Sequence, residues 1–143
     1  MSNYFIKSPI SPSFVSEELL ALQSEINIGA HNFFLGQIRA DHINGKEVTA
    51  IDYTAYEEMA NKQFDTIRSM AIKKFNLSHA AIYHSLGVVK TGEICLFVLA
   101  SAKHRKEVLL AIEYMVELIK KEVPIFGKEM FEDSSFQWKE NFF

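Results

Sequence analysis

The chain has a single cysteine, Cys95, among its 143 residues. That excludes an internal disulfide and any zinc site built on cysteine pairs. The six glycines stand singly, and the sequence contains no glycine-rich phosphate loop, nucleotide fingerprint or Ser-His-Asp signature. No apolar run approaches the roughly 18 residues that a membrane span needs, and no N-terminal signal pattern is present. A cytoplasmic chain with no membrane partner is therefore expected. An excess of positive charge is also missing: 15 Lys and Arg against 18 Asp and Glu give a net charge of −3. A general nucleic-acid surface does not fit that balance, so any anion site must be a local cluster. His31, His42, His79 and His84 show no metal-ligand spacing to one another or to Cys95, and neither a metal nor a resident cofactor is expected. No repeat or linker interrupts the sequence, so residues 1–143 are expected to form one domain.

What is present is apolar and aromatic. Hydrophobic residues make up 48% of the chain and twelve are Phe, which implies a well-filled core extended by a subunit interface. Cys95 lies in the run Ile94-Cys95-Leu96-Phe97-Val98-Leu99, where a thiol is a small buried hydrophobe before it is a nucleophile. The pattern predicts strands over 4–7, 27–39, 48–56, 78–84 and 93–101. The last is apolar on both faces and hence central. A first helix, capped by Ser13 or Ser16, should run to about Ser24. Ala60, Phe64, Ile67, Ala71 and Phe75 mark a second helix, and Val108, Ile112, Met115 and Ile119 a third over 103–122. Pro124 should end that helix, and a strand or hairpin through Trp138 should close the chain. The expected fold is α+β, a largely antiparallel sheet with packed helices.

Three cationic spots stand out. Lys120 and Lys121 occupy the last turn of the third helix, ahead of Val123-Pro124-Ile125-Phe126 and Lys128. Two accounts fit them: cations complementing the negative end of the helix dipole, or ammonium groups facing a partly dry pocket for a carboxylate-like anion. His104 and Arg105 fall at the start of the same helix, where free backbone N–H groups favour anions. The alternative there is a capping histidine and a solvated arginine. Arg39 ends the second strand after Gly36.

These spots, in this order, resemble the large (catalytic) subunit family of molybdopterin synthase. Gly36-Gln37-Ile38-Arg39 matches its G-x-V-R strand end, and Ala55-Tyr56-Glu57-Glu58-Met59-Ala60 its A-Y-x-x-M-A helix start. Ser101-Ala102-Lys103-His104-Arg105 matches S-A-x-H-R, and residues 119–129 match L-K-x-x-V-P-I-W-K-K-E. His84, Gly87, Gly92, Glu93 and Trp138 complete a likeness over about 28–139. The resemblance implies an α/β-hammerhead-like fold and a sulfurtransferase. A small carrier subunit would insert a Gly-Gly tail ending in a thiocarboxylate, and two sulfurs would pass to cyclic pyranopterin monophosphate. It implies Lys120 as the principal catalytic residue with Lys128 beside it. Gln37, Ile38, Arg39, His104, Arg105, Gly127, Lys128 and Glu129 would bind substrate or tail. It further implies a homodimer at the core of a heterotetramer, with pockets completed across the dimer. The chain closes on Asn141-Phe142-Phe143 rather than Gly-Gly, so it is expected to receive the tail and not to carry it.

Four positions depart from the family pattern: Thr54 and Ser85 replace a usual Glu and Arg, Phe126 a usual Trp, and Gly127 a usual Lys. The last removes a second cation. Either the freedom of Gly127 turns Lys128 inward to replace it, or the enzyme is slower, or the chain docks a carrier without performing chemistry.

Overall fold

The apolar run around Cys95 becomes strand β7, Ile94–Ala102, with eight of its nine residues buried. Its neighbours are β5 (His79–Ser85) and β2 (Ala30–Gln37), both antiparallel to it, and β1 (Phe5–Ile6) adds to β5 in parallel. The order β1-β5-β7-β2 places β7 inside the sheet and β2 at an edge. This computed structural model describes residues 2–139, so Asn141-Phe142-Phe143 lies outside it. Both faces of β7 are covered. Leu96 and Val98 pack with Phe64 and Ile67 of α2 (Glu57–Phe75) and Met115 and Ile119 of α3 (Arg105–Glu122). On the other face Phe97 and Leu99 meet Ile10 and, from α1 (Pro12–Ala21), Val15.

A second sheet is built on β4 (Lys46–Ala55). β8 (Ile125–Phe131) pairs along β4 and carries β9 (Phe136–Trp138) beyond it. β3 (His42–Ile43) and β6 (Gly87–Lys90) pair with successive stretches of β4. Apart from β1 with β5, every pairing of named strands is antiparallel. The architecture is the expected α+β type.

The helix ends follow local chemistry. Ser11, not Ser13 or Ser16, caps α1: its Oγ accepts from the Phe14 N–H at 3.1 Å, and Pro12 fills the first helical position, where a missing N–H costs nothing. α1 stops at Ala21, and residues 22–24 continue as a short 3-10 turn. Asn76 ends α2 in the left-handed conformation at φ 51°. Val123 is extended ahead of Pro124, so α3 stops where the proline requires. β6 was not expected; it is only four residues long and starts at Gly87, whose φ of 85° reads from sequence as a turn. No helix among the described residues is long and apolar enough to cross a membrane.

His84, at the end of β5, shows what this packing does to a titratable group. Its ring is buried edge-on to Tyr53 at 4.9 Å, and its Nδ1 lies 2.7 Å from the Ser85 carbonyl. Burial pushes its pKa from 6.5 down to about 4. Between those values the unfolded chain binds the proton and the folded chain refuses it. The contribution of neutral His84 is therefore complete above pH 6.5 and is lost as pH falls through 4, on the order of 3 kcal/mol in all. Urea unfolding at pH 7 and pH 4.5 should show His84→Gln with a clearly shallower acid loss than wild type. Equal losses would assign the pH dependence to other groups.

Candidate active site

Arg105 and Lys120 stand at opposite ends of α3, 15 residues apart, which is about 22 Å along a helix axis. The cationic spots at the two ends of this helix are therefore two places in one protomer.

At the first, His104 is the N-cap residue, but its side chain makes no capping bond. Lys103, His104, Arg105 and Lys106 line a hollow of about 540 Å³ with Gly29 and Ala30. Gly29 fixes its floor. Its N–H donates to the Ala102 carbonyl at 3.0 Å, and a Cβ there would stand 2.2 Å from the Lys103 carbonyl oxygen. Only glycine permits this approach.

At the second, the Nζ of Lys120 is shielded from solvent, while Lys121 is exposed and serves the helix dipole. Burial lowers the Lys120 pKa from 10.5 to about 8. The charge of Lys139, and less strongly that of Arg39, pushes it the same way, against Glu117 and Cys95. Arg39 arrives from the end of β2, where a bulge between Gly36 and Gln37 shifts the register against β7 and re-aims the chain. Ile38 is then tied down by its N–H to Glu93 O at 3.0 Å and its carbonyl from Gly92 N–H at 2.8 Å, with its side chain buried. Arg39 is mostly exposed and touches Asp41 at 3.2 Å, a pairing an incoming anion can displace at small cost.

Beside Arg39 lies a cavity of about 150 Å³, lined by Gly36, Gln37, Arg39, Ile51, Tyr53 and Lys139 among others. Lys120 is not part of its lining, but the charges of two lining residues, Lys139 and Arg39, reach it. A neighbouring cleft of about 300 Å³ shares Arg39 and Lys139 and adds Glu129, Gln137 and Trp138. Glu129 is buried and accepts from Gln137 Nε2 at 3.2 Å. Cys95 lies behind the cavity wall: its Sγ donates to Gly36 O at 3.4 Å and accepts from the Tyr53 hydroxyl at 3.6 Å. Burial raises the pKa of its thiol, which keeps it protonated and inert.

The inward turn expected of Lys128 does not occur. Gly127 is not in the left-handed region, and β8 alternates regularly, with Gly127 and Glu129 buried between Phe126, Lys128 and Met130. Lys128 therefore leaves on the opposite face, its Nζ 4.7 Å from the centre of the Phe136 ring. The structure thus groups Gln37, Ile38, Arg39 and Glu129 around two adjoining hollows that share Arg39 and Lys139, the two cations whose charges act on Lys120. It leaves His104 and Arg105 at the far end of α3 and Lys128 on the outer face. Sequence reading missed Tyr53 and Lys139 as lining residues. The signal for Lys139 was its two-residue spacing from Gln137, which becomes readable only once the β8–β9 register is known.

The family model described as MoaE protein matches residues 7–122. The chain belongs to the MoaE family. A molybdopterin synthase catalytic subunit from Pyrococcus abyssi is 36% identical over 131 residues, covering 92% of this chain and 86% of the relative. The subunit of the same name from Drosophila melanogaster is 37% identical over 122 residues, which is 84% of this chain but 33% of that longer relative. Among solved structures, molybdopterin synthase from Staphylococcus aureus superposes with a TM-score of 0.85 at 28% identity, covering 99% of both chains. A complex of subunits 1 and 2 of molybdopterin-converting factor from Helicobacter pylori gives 0.81 at 20% identity over 96% of this chain and 89% of its own, a likeness of fold. The MoaE match covers β2, α2, β7 and α3 whole and stops before β8 and β9.

Gly29→Ala should destabilise the fold by about 1–3 kcal/mol through the forced contact with Lys103 O. Its largest amide shifts should fall on residues 102–106. Urea unfolding with amide NMR checks this, and unchanged stability would mean that the β2 entry moves freely.

Proposed function

We propose that the chain is the catalytic subunit of a molybdopterin synthase. In this reading it moves sulfur from the C-terminal thiocarboxylate of a small Gly-Gly-tailed carrier to cyclic pyranopterin monophosphate. Family membership supports the class of reaction. The observation that carries the role of this particular site is Lys120, a half-buried lysine at the end of a helix whose shielded Nζ feels the charges of the cavity-lining Lys139 and Arg39, with its pKa brought down to about 8. A thiocarboxylate is anionic, and the atom that leaves it carries negative charge in the transition state. A preorganised ammonium group in a desolvated site stabilises that charge more than water does. The cavity suits a tail without side chains: it is small, about 150 Å³, and residues 34–38, Gly36 among them, line it. Arg39, at the shared rim of both hollows, meets the phosphate of the substrate.

His104 and Arg105 belong to this site only through a second protomer, since about 22 Å of helix separates them from Lys120 within one chain. The reading therefore requires a homodimer, with an interface on the order of 2,000 Å² or more. Sedimentation of the isolated chain at micromolar concentration should give about twice 16.4 kDa. A clean monomer would separate the two cationic sites for good.

Gly127 favours one rival, a module that docks the carrier without performing chemistry, because the cation usual at that position is gone. Turnover separates the two. Thiocarboxylated carrier and cyclic pyranopterin monophosphate, mixed with the chain, should yield molybdopterin; no product at any carrier ratio would leave only the docking role. In single turnover at saturating carrier, Lys120→Ala should lose about 10²–10³ in rate while staying folded by circular dichroism. The charged form of Lys120 is the one present below its pKa, so the wild-type rate should fall as pH rises through about 8. A folded Lys120→Ala with normal turnover would remove Lys120 from the mechanism.

A further inference from the structure

The lysine that the family resemblance places at position 127 is absent, and Lys128 has turned to the other face. The second sheet nevertheless returns a cation to the vacated place. β8 and β9 pair in the register Glu129↔Gln137 and Lys128↔Trp138. One step further the Lys139 N–H donates to the Gly127 carbonyl at 2.7 Å, so Lys139 stands directly across from Gly127. Residues paired across an antiparallel ladder share a face. On the other side of β8, Gly127 pairs with Tyr53, and Glu129 with Ile51. Tyr53, Gly127 and Lys139 therefore form one row across three chain segments, on the face turned toward the cavity. Lys139 lines that cavity together with Ile51 and Tyr53. A side chain at position 127 itself would be crowded: a Cβ there would come within 3.0 Å of Ile51 Cγ2 and 3.3 Å of the Tyr53 ring.

From this geometry we infer that Lys139 is the second cation of the active site, replacing from the neighbouring strand the lysine missing at Gly127, with Lys120 as its partner in holding the anionic tail and substrate. The inference rests on the reading of the site as a sulfur-transfer centre. An independent feature agrees: of the charged neighbours of Lys120, Lys139 acts on it most strongly. The charge is moved sideways by one strand spacing, about 4.8 Å, within reach of a flexible four-carbon stem. Lys128 lies on the opposite face over Phe136.

The test uses the full chain carrying Lys139→Met, which keeps an unbranched apolar stem and removes the charge, alongside Lys139→Arg and Lys128→Ala. In single turnover with saturating thiocarboxylated carrier, Lys139→Met should lose about 10²-fold in rate. Lys139→Arg should retain most of the activity, and Lys128→Ala should lose far less than Lys139→Met. The second readout is Lys120 itself, followed by NMR after reductive ¹³C-methylation of the lysines. Removing Lys139 should move the Lys120 titration upward, and the alkaline limb of the rate profile should move with it, a change that a merely structural role would not produce. The groups facing Lys120 in this experiment are Arg39, Glu117, Cys95 and Lys139. Wild-type turnover by a folded Lys139→Met overturns the inference. If the wild type itself forms no product, the sulfur-transfer reading fails, and the placement of Lys139 is judged by the titration alone: an unmoved Lys120 overturns it.

Discussion

The two-sided burial of β7 is the constraint on which the rest of the molecule depends. A strand that hides both faces needs a layer on each, and α2 with α3 supply one while the α1 region supplies the other. Because α3 follows β7 after only two residues, the position of the helix is set by the strand. One end of α3 then falls at the start of β2 and the other near its end. The same strand brings Cys95 behind the cavity wall, where its thiol fastens Tyr53 to Gly36 and does no chemistry of its own. Packing, in this protein, decides where the charges stand.

The charges in turn conflict with the packing. Lys120 is held where water is scarce and where Lys139 and Arg39 add like charge, so its ammonium form is disfavoured twice over. Lys121, the next residue of the same turn, is exposed. A group held where its own charge is disfavoured is costly to a fold, and such costs cluster at functional sites. Glu129, buried with Gln137 as its donor, lies at the adjoining cleft.

Most of the fold was legible because it rests on periodicity. The stripe Val108, Ile112, Met115, Ile119 and the stop at Pro124 read directly as α3, and the unbroken apolar run at 94–99 as a central strand. Ser11 was missed as a cap because three serines lie within six residues, and only the position of Pro12 separates them. β6 was missed because a four-residue strand that begins on left-handed Gly87 and stops just short of left-handed Gly92 carries too little pattern. The positions of Lys120 and Arg39 were legible: Lys120 stands in the last turn of α3, and Arg39 two residues beyond β2. Lys128 was misread because glycine's freedom was taken as freedom used, whereas β8 runs straight through Gly127 in regular alternation. Lys139 was invisible for a different reason: strand register is a relation between two segments, and no single segment contains it.

The parallel course of β2 and α3 has a symmetry consequence. Both begin beside the Lys103–Lys106 hollow and end near the cavity lined by Arg39 and Lys139, so the pair works as a polar rod with a different set of cations at each tip. A two-fold axis crossing such a rod at right angles near its middle reverses it, and sets the head of one copy against the tail of the other. Two identical chains joined in that way would carry two composite sockets, each drawing cations from both copies. Neither copy alone would hold a complete one.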